Sequence, residues 1–266
     1  MAFDSGAEPG APKVSVIVPV HNRSALLRRS LRSVANQEFP AGFEIVVADD
    51  NSTDDSAAVA EELATTVVRH DHNQGPGAAR NSAIAAARGE WIAFLDSDDV
   101  WHPLHLQSLW DQRRDVALVG SSGLALSETG LRVEGSPFLH TVELRQPSDV
   151  LRPRNVIKTS ACMVQAGVLR TVGGFTPGMR YSEDLDLWLR ILEGHRGRIL
   201  PVLTVVTSPH DGQMTLASSP DMRESTRAIV QSDLGVRCLT LELLILRAKA
   251  AGFGGVLDGD EGLFER

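Results

Sequence analysis

The sequence predicts an α/β domain built on a mainly parallel sheet flanked by helices. The first observation behind this is order. Through residue 95, four apolar or β-branched runs alternate with three segments of helical period. A β-α-β-α-β-α-β succession implies right-handed crossovers and a parallel sheet. The second observation is how the runs end. Trp91-Ile92-Ala93-Phe94-Leu95 stops in Asp96-Ser97-Asp98-Asp99, and Asp49-Asp50 ends an earlier run. In such a sheet these ends gather on one edge, where open α/β sheets bind ligands. The third is size: 266 residues, 42% of them hydrophobic, suffice for one large domain with an elaborated end.

Val14-Ser15-Val16-Ile17-Val18-Pro19-Val20 is the first strand, with Pro19 near its end because proline cannot donate to a ladder. Asn22 or Ser24 can cap the next helix, where Leu27, Leu31, Val34 and Ala35 recur at helical spacing. Glu44 to Ala48 is the second strand. Ser52, with Asp55 three residues on, resembles a capping box for a helix through Val59 and Leu63. Thr66 to Arg69 is the third strand. The loop Asn73-Gln74-Gly75-Pro76-Gly77 opens an alanine-rich helix to about Ala87, and Trp91 to Leu95 is the fourth strand.

Beyond Asp99 the pattern loosens. Leu104 to Trp110 reads as helix, Val116 to Val119 as strand, Leu124 to Arg154 as mixed, and Val156 to Val164 as a further strand. A strong helix follows Ser182. Glu183 and Asp184 occupy its first turn, Leu185, Trp188, Leu189 and Leu192 repeat at core spacing, and Gly194 closes it. Val202 to Val206 is the last strand, leading to His210. An amphipathic helix spans roughly Met222 to Ala250, before a glycine-rich acidic tail. The chain therefore divides into a flexible N-terminal tail (1–12), a main domain (13–215) and a C-terminal helical extension and tail (216–266).

Composition excludes several classes. A net charge of -8 argues against nucleic-acid binding, which wants a basic footprint. It leaves room for a phosphorylated ligand, because a bound metal can supply local positive charge. Cys162 and Cys238 lie far apart with no Cys-x-x-Cys, so a reducing cytoplasm is the expected setting. The N-terminus has neither the basic start nor the apolar core of a signal peptide. No apolar run approaches bilayer-spanning length. The C-terminal helix around Leu239 to Leu246 could dock a membrane surface or form a homodimer. Glu242 and the overall negative charge favour packing on the main domain instead.

Clustered carboxylates at a strand end call for an offsetting cation, and hard divalent ions take oxygen ligands. An extended Asp96-Ser97-Asp98 puts both acids on one side. A capping role for Asp96 fails on position, since Trp101, His102 and Pro103 intervene before the next helix. Of Asp49 and Asp50, one can cap a turn and the other can accept from a nucleobase N–H; both readings stay open. Arg80, one turn into its helix at the mouth of an acidic crevice, is expected to pair a phosphate or Asp50. Glu183-Asp184 offers either dipole compensation or a general base. His210 gains interest from ending a strand near the acids. A dinucleotide or P-loop glycine motif is absent from the sequence.

Taken in order, six segments are distinctive: Val16-Ile17-Val18-Pro19-Val20-His21-Asn22, Ala48-Asp49-Asp50-Asn51-Ser52-Thr53-Asp54, Asn73 to Asn81, Phe94 to Asp99, Gly173-Gly174-Phe175, and Glu183 to Trp188. Together they resemble the family 2 glycosyltransferases with the Rossmann-like GT-A fold, over roughly Val14 to Gly212. The resemblance implies a nucleotide-sugar donor, a UDP-sugar by family habit, with Mn2+ or Mg2+ and inversion at the anomeric carbon. It implies a nucleotide-sugar-binding half at 13–120 and an acceptor-binding half at 121–215. Pro19, His21, Asn22, Asp49 and Asp50 would lie on the nucleoside side. Arg80 would approach the base or diphosphate, and Asp96 the ribose or metal shell. Asp98 would be the principal metal ligand, and Asp184 the base. Gly174, Glu183 and Trp188 would face the acceptor, a hydroxyl of a glycan, lipid-linked sugar or small molecule. His210 aligns with a histidine near the metal and diphosphate, although Thr207-Ser208 stand where the family has Tyr-Arg. Asn51 replaces the commoner glycine after the paired acids. A sugar-phosphate nucleotidyltransferase would want a glycine-rich loop after the first strand, which His21-Asn22-Arg23-Ser24 lacks. A non-catalytic nucleotide-sugar-binding module would have no use for Asp98 with Asp184.

Overall fold

The computed structural model describes residues 11–127, 130–135, 140–151, 155–179 and 181–207. Residues 1–10 of the expected tail, His210 and the helix expected from Met222 to Ala250 lie outside the described residues. The strands are β1 (Val14–Val20), β2 (Phe43–Asp49), β3 (Thr66–Arg69), β4 (Trp91–Phe94), β5 (Asp99–Trp101), β6 (Leu118–Ser127), β7 (Gly130–Glu134), β8 (Val142–Leu144), β9 (Cys162–Gln165) and β10 (Gly197–Thr207). The helices are α1 (Ser24–Ala35), α2 (Ser56–Leu63), α3 (Pro76–Ala86), α4 (His105–Asp111), α5 (Ala166–Val172) and α6 (Glu183–Gly194).

One sheet holds these strands in the order β3-β2-β1-β4-β9-β6-β10-β5, with β7 on β6 and β8 on β10. The first four are parallel, as expected. Val20 pairs with Asp49, and Ile17 with Phe94, so β1, β2 and β4 end on one edge. Beyond β4 the sheet is mixed: β9 runs antiparallel to both β4 and β6, and β10 is parallel to β6 but antiparallel to β5. Antiparallel neighbours need no crossover helix. That suits the stretch after α4, where helical period fades.

Both faces of the central strands β1, β2 and β4 are covered, which is why these are mainly apolar rather than alternating. Ile17, Val46, Ile92 and Phe94 pack on one side with α3, α5 and α6. Val16, Val18, Val47 and Ala93 pack on the other with α1 and residues of α2 and α4.

Three local expectations need correction. Neither Asn22 nor Ser24 caps α1 with its side chain, and Ser52 with Asp55 forms no capping box for α2. The two loops brace each other instead. Asn22 Oδ1 accepts from the Thr53 and Asp54 N–H groups, while the Ser24 N–H donates to Asp54 Oδ2. The right residue types are present, but the partners lie across a sheet edge rather than three residues along. Next, Val156 to Val164 is not one strand: a 3-10 turn over Thr159–Ala161 precedes β9. The Ser160 hydroxyl there accepts from the Asp96 N–H, so this turn is tied to the end of β4. Finally, β10 starts five residues before Val202, because β8 and β6 both pair its first half. The mixed stretch from Leu124 contains the end of β6, β7, β8 and a 3-10 turn at Pro147–Leu151.

Gly89 marks a close approach between β1 and the loop after α3. Its N–H donates to Ser15 Oγ, and an added Cβ would fall 2.5 Å from the Ser15 nitrogen. Because the obstacle is backbone, Gly89→Ala is expected to destabilise by about 1–3 kcal/mol, as overpacking does. A lower urea midpoint at unchanged slope would register it; an unchanged midpoint would show that the strand yields.

Candidate active site

The ends of β1, β2 and β4 and the start of α3 enclose a cavity of about 380 Å3. Pro19 and His21 come from β1 and the turn after it, Asp50 follows β2, and Arg80 lies on α3. Asp96, Ser97, Asp98 and Asp99 follow β4. The structure thus brings most of the predicted donor-side residues together. Asn22 and Asp49 are not among the cavity walls. Asn22 braces the Thr53–Asp54 turn, and Asp49 Oδ1 accepts from the Ser52 N–H. Asp49 is therefore the turn-capping member of the pair.

Asp50 is the member that faces the cavity, and it is already well supplied with donors. Its Oδ1 accepts from the Gln74 N–H and lies 2.7 Å from His70 Nδ1, while Oδ2 accepts from the Gly75 N–H. His21 Nδ1 donates to the Asp50 carbonyl at 2.8 Å. Asp50 therefore fixes the Asn73–Gly75 loop as a cavity wall. A carboxylate has about four lone-pair sites, so about one acceptor position remains beyond these protein partners.

Arg80 departs from expectation. It meets neither Asp50 nor open solvent, and instead lies buried between Asp96 (2.7 Å) and Glu183 (2.8 Å). Its guanidinium also sits over Phe175. Through Arg80 on α3 the end of β4 is joined to the first turn of α6, and Arg80 itself lies 103 residues from Glu183 in sequence. Burial alone would push the Asp96 carboxyl up, but the charges of Arg80 and Lys158 hold it below its ordinary range.

The three acids after β4 form one cluster: Asp96, Asp98 and Asp99 each offer an oxygen within 4.8 Å of the others. A cation bound at 2.0–2.6 Å by each oxygen spans such a separation. Asp99 Oδ1 is buried with no hydrogen-bond donor among the described residues, an acceptor that a cation would satisfy. The residues present therefore fit a divalent ion. They also carry their own cations, since Arg23 pairs with Asp98 at 2.8 Å and Lys158 with Asp99 at 3.1 Å. Like-charge repulsion alone consequently does not demand a metal here.

Asp184, on the first turn of α6, is not among the cavity walls. It is linked to their surroundings through Glu183 and Arg80. Its Oδ2 accepts from the Thr159 hydroxyl and its Oδ1 from the Leu185 N–H. Burial, reinforced by the neighbouring charge of Glu183, pushes its carboxyl up to about 6. A carboxylate poised near neutrality can take a proton efficiently.

The three acceptor-side candidates are placed differently. Glu183 is buried and occupied by Arg80. Trp188 is fully buried, edge-on to Phe94, and offers no surface to an acceptor. Its helical spacing reflected core packing. Gly174, at φ +67°, sits tight against Asn81, whose Oδ1 accepts from the Phe175 N–H. It shapes the turn before α6.

Arg23, His70 and Lys158 were not singled out by sequence. His70 was within reach: the register that pairs Asp49 with Arg69 sets Asp50 beside His70. Arg23 adjoins a quoted motif. Lys158 has no local signal, because it arrives from a segment 59 residues beyond Asp99 in sequence. Among the described residues, no helix is long and apolar enough to cross a membrane.

Comparison with known proteins accords with this geometry. The solved structure of Staphylococcus aureus TarS (residues 1–349) in complex with UDP-GlcNAc superimposes with a TM-score of 0.68 at 22% identity. It covers 91% of this chain and 73% of that one. Mannosyltransferase PcManGT from Pyrobaculum calidifontis, in complex with GDP-Man and Mn2+, gives 0.60 at 18% identity, over 99% of this chain and 84% of that one. These likenesses establish the GT-A fold. The pre-mycofactocin glycosyltransferase of Mycobacterium tuberculosis is 32% identical over 218 residues, 78% of this chain. The chain spans 44% of that relative's length. The model of glycosyl transferase family 2 matches residues 15–158, more than half of the sequence. The chain belongs to glycosyl transferase family 2.

Proposed function

We propose that this protein transfers a sugar from a nucleotide-diphosphate donor, a UDP-sugar, to an acceptor hydroxyl with inversion at the anomeric carbon. The observation that carries the reading is the cavity in which Pro19, His21, Asp50, Asp96 and Asp98 converge from three strand ends. The UDP-GlcNAc complex of TarS supports the choice of nucleotide. The Mn2+ in the PcManGT complex supports divalent-ion use.

Within that reading the residues divide the work. Asp50 accepts from the nucleobase with the lone pair its protein donors leave. Asp98 with Asp96 would hold Mn2+ or Mg2+, whose contribution when bound is to offset charge on the departing nucleoside diphosphate. Asp184 accepts the proton of the attacking hydroxyl. The oxygen of that hydroxyl forms the new bond to the anomeric carbon as the bond to the diphosphate breaks. A single displacement inverts the centre. Orientation of donor and acceptor across the cavity lowers much of the barrier. The acceptor is a glycan, a lipid-linked sugar or a small molecule.

Calorimetry tests the donor side. UDP is expected to bind the wild-type protein more tightly when Mn2+ is present, and Asp98→Ala is expected to erase that difference. UDP affinity that ignores Mn2+ in the wild type would remove the metal from the reading. Release of UDP from a panel of UDP-sugars, with GDP-mannose as comparison, then identifies the donor.

A further inference from the structure

Each carboxylate after β4 is held by a basic side chain that lines the same cavity: Arg80 on Asp96, Arg23 on Asp98, Lys158 on Asp99. These pairs supply the counter-charge that sequence alone assigned to a metal. They also compete with one, because a carboxylate oxygen cannot serve a guanidinium and a divalent ion at full strength together.

The three differ in how readily they can change partner. The Arg80 side chain is 6% exposed and bound to two carboxylates, so it is locked. Lys158 is 16% exposed and faces Asp99, whose own side chain is 2% exposed. Arg23 is the most open at 27%, and its partner Asp98 is the expected principal metal ligand. The Arg23 backbone is anchored. Its N–H donates to Ser56 Oγ, and its carbonyl accepts from Leu27 at the start of α1. A change of partner therefore involves the side chain alone. The cavity it lines is the one proposed to receive a diphosphate, and a guanidinium fork matches phosphate oxygens as well as carboxylate oxygens.

We infer that Arg23 is a donor-phosphate ligand that exchanges Asp98 for the diphosphate of the bound nucleotide when a divalent ion takes up Asp98. The inference rests on the donor reading above. It gives Arg23 two successive tasks: it holds Asp98 in place in the empty cavity, then binds the anion that arrives with the metal. The exchange is non-covalent: the Arg23–Asp98 pair gives way to a metal–Asp98 pair and an Arg23–diphosphate pair, and the divalent ion offsets the two negative charges of the sugar-nucleotide diphosphate that enters with it.

Calorimetry on the full chain distinguishes this from a merely structural ion pair. Wild type and Arg23→Gln are titrated with Mn2+ alone, with uridine, and with UDP at saturating Mn2+. Arg23→Gln is expected to bind Mn2+ alone more tightly, because a competing cation has gone. It is expected to bind UDP about tenfold more weakly, the scale of one lost charged hydrogen bond. Uridine, which has no phosphate, should bind both proteins alike. Equal UDP affinity in the two proteins would overturn the inference, as would weaker Mn2+ binding or a parallel loss of uridine in the variant. A wild-type protein that binds no UDP with Mn2+ present would overturn the donor reading itself. The Mn2+ titration alone would still decide whether Arg23 competes for Asp98.

Discussion

Asp184→Asn is expected to lower kcat by about 100- to 10,000-fold, the range that general-base catalysis contributes, while nucleotide affinity stays unchanged. Asparagine keeps the shape of the side chain: its single carbonyl oxygen can accept from the Leu185 N–H, while the Thr159 hydroxyl turns to accept from the amide NH2. What it loses is the ability to take a proton. Because Asp184 lies outside the cavity walls, donor binding has no reason to suffer. The wild-type pH profile provides a second check. A base whose carboxyl is pushed up to about 6 becomes protonated, hence inactive, as pH falls through 6. kcat/KM should then drop about tenfold per pH unit below that point. The sign for stability runs the other way. Burial and Glu183 favour the neutral acid in the folded state, so this group makes stability fall as pH rises from the ordinary carboxyl range to about 6. Asp184→Asn should remove both dependences together. Retention of full turnover in the variant would eliminate Asp184 as the base.

The parts of this protein that sequence made legible are those whose signals are local. β1, β2 and β4 are buried on both faces, so their residues are mostly apolar, with Ser15 and Glu44 paired to each other near the strand starts. Each stops at polar or acidic side chains, which marks the cavity edge without any knowledge of tertiary structure. What could not be read depends on partners distant in the chain. Arg80 was visible as a basic residue at the crevice, but its partner Glu183 lies 103 positions away, on a helix whose approach only the packing of α6 reveals. The same holds for the loops after β1 and β2. Their Asn, Ser and Asp residues suit helix caps, yet they cap across the sheet edge. Trp188 shows the opposite failure, because the family resemblance put it on the acceptor side while its helical spacing already spoke for the core. The metal reading also changed character. Three acids in four residues implied a missing cation, and the structure supplies three from side chains, so the case for a divalent ion rests on the fit of the oxygens and the orphaned Asp99 Oδ1.

Arg80→Met is expected to destabilise the fold by about 3–5 kcal/mol, the cost of removing one partner from buried ion pairs. Methionine preserves the apolar stem and its packing near Phe175, so the loss isolates charge from volume. Two carboxylates depend on Arg80: Glu183, whose side chain is 8% exposed, and Asp96. Without the guanidinium, Glu183 would face Asp184 with its ion pair gone, and Asp96 would keep only the charge of Lys158 against Asp98 and Asp99. Urea unfolding at neutral pH should therefore show a large fall in midpoint. The deficit should shrink under acidic conditions, because the protonated carboxyls no longer carry unpaired charge. The direction follows from Asp96, whose depressed value means that its pairing stabilises above the ordinary carboxyl range and is lost as pH falls. The double variant Arg80→Met with Glu183→Gln should recover part of the stability, since one of the two stranded charges is gone. If Arg80→Met unfolds at the wild-type midpoint, the link from β4 to α6 is not a structural tie. Asp184 would then owe its position to Thr159 and the packing of α6 alone.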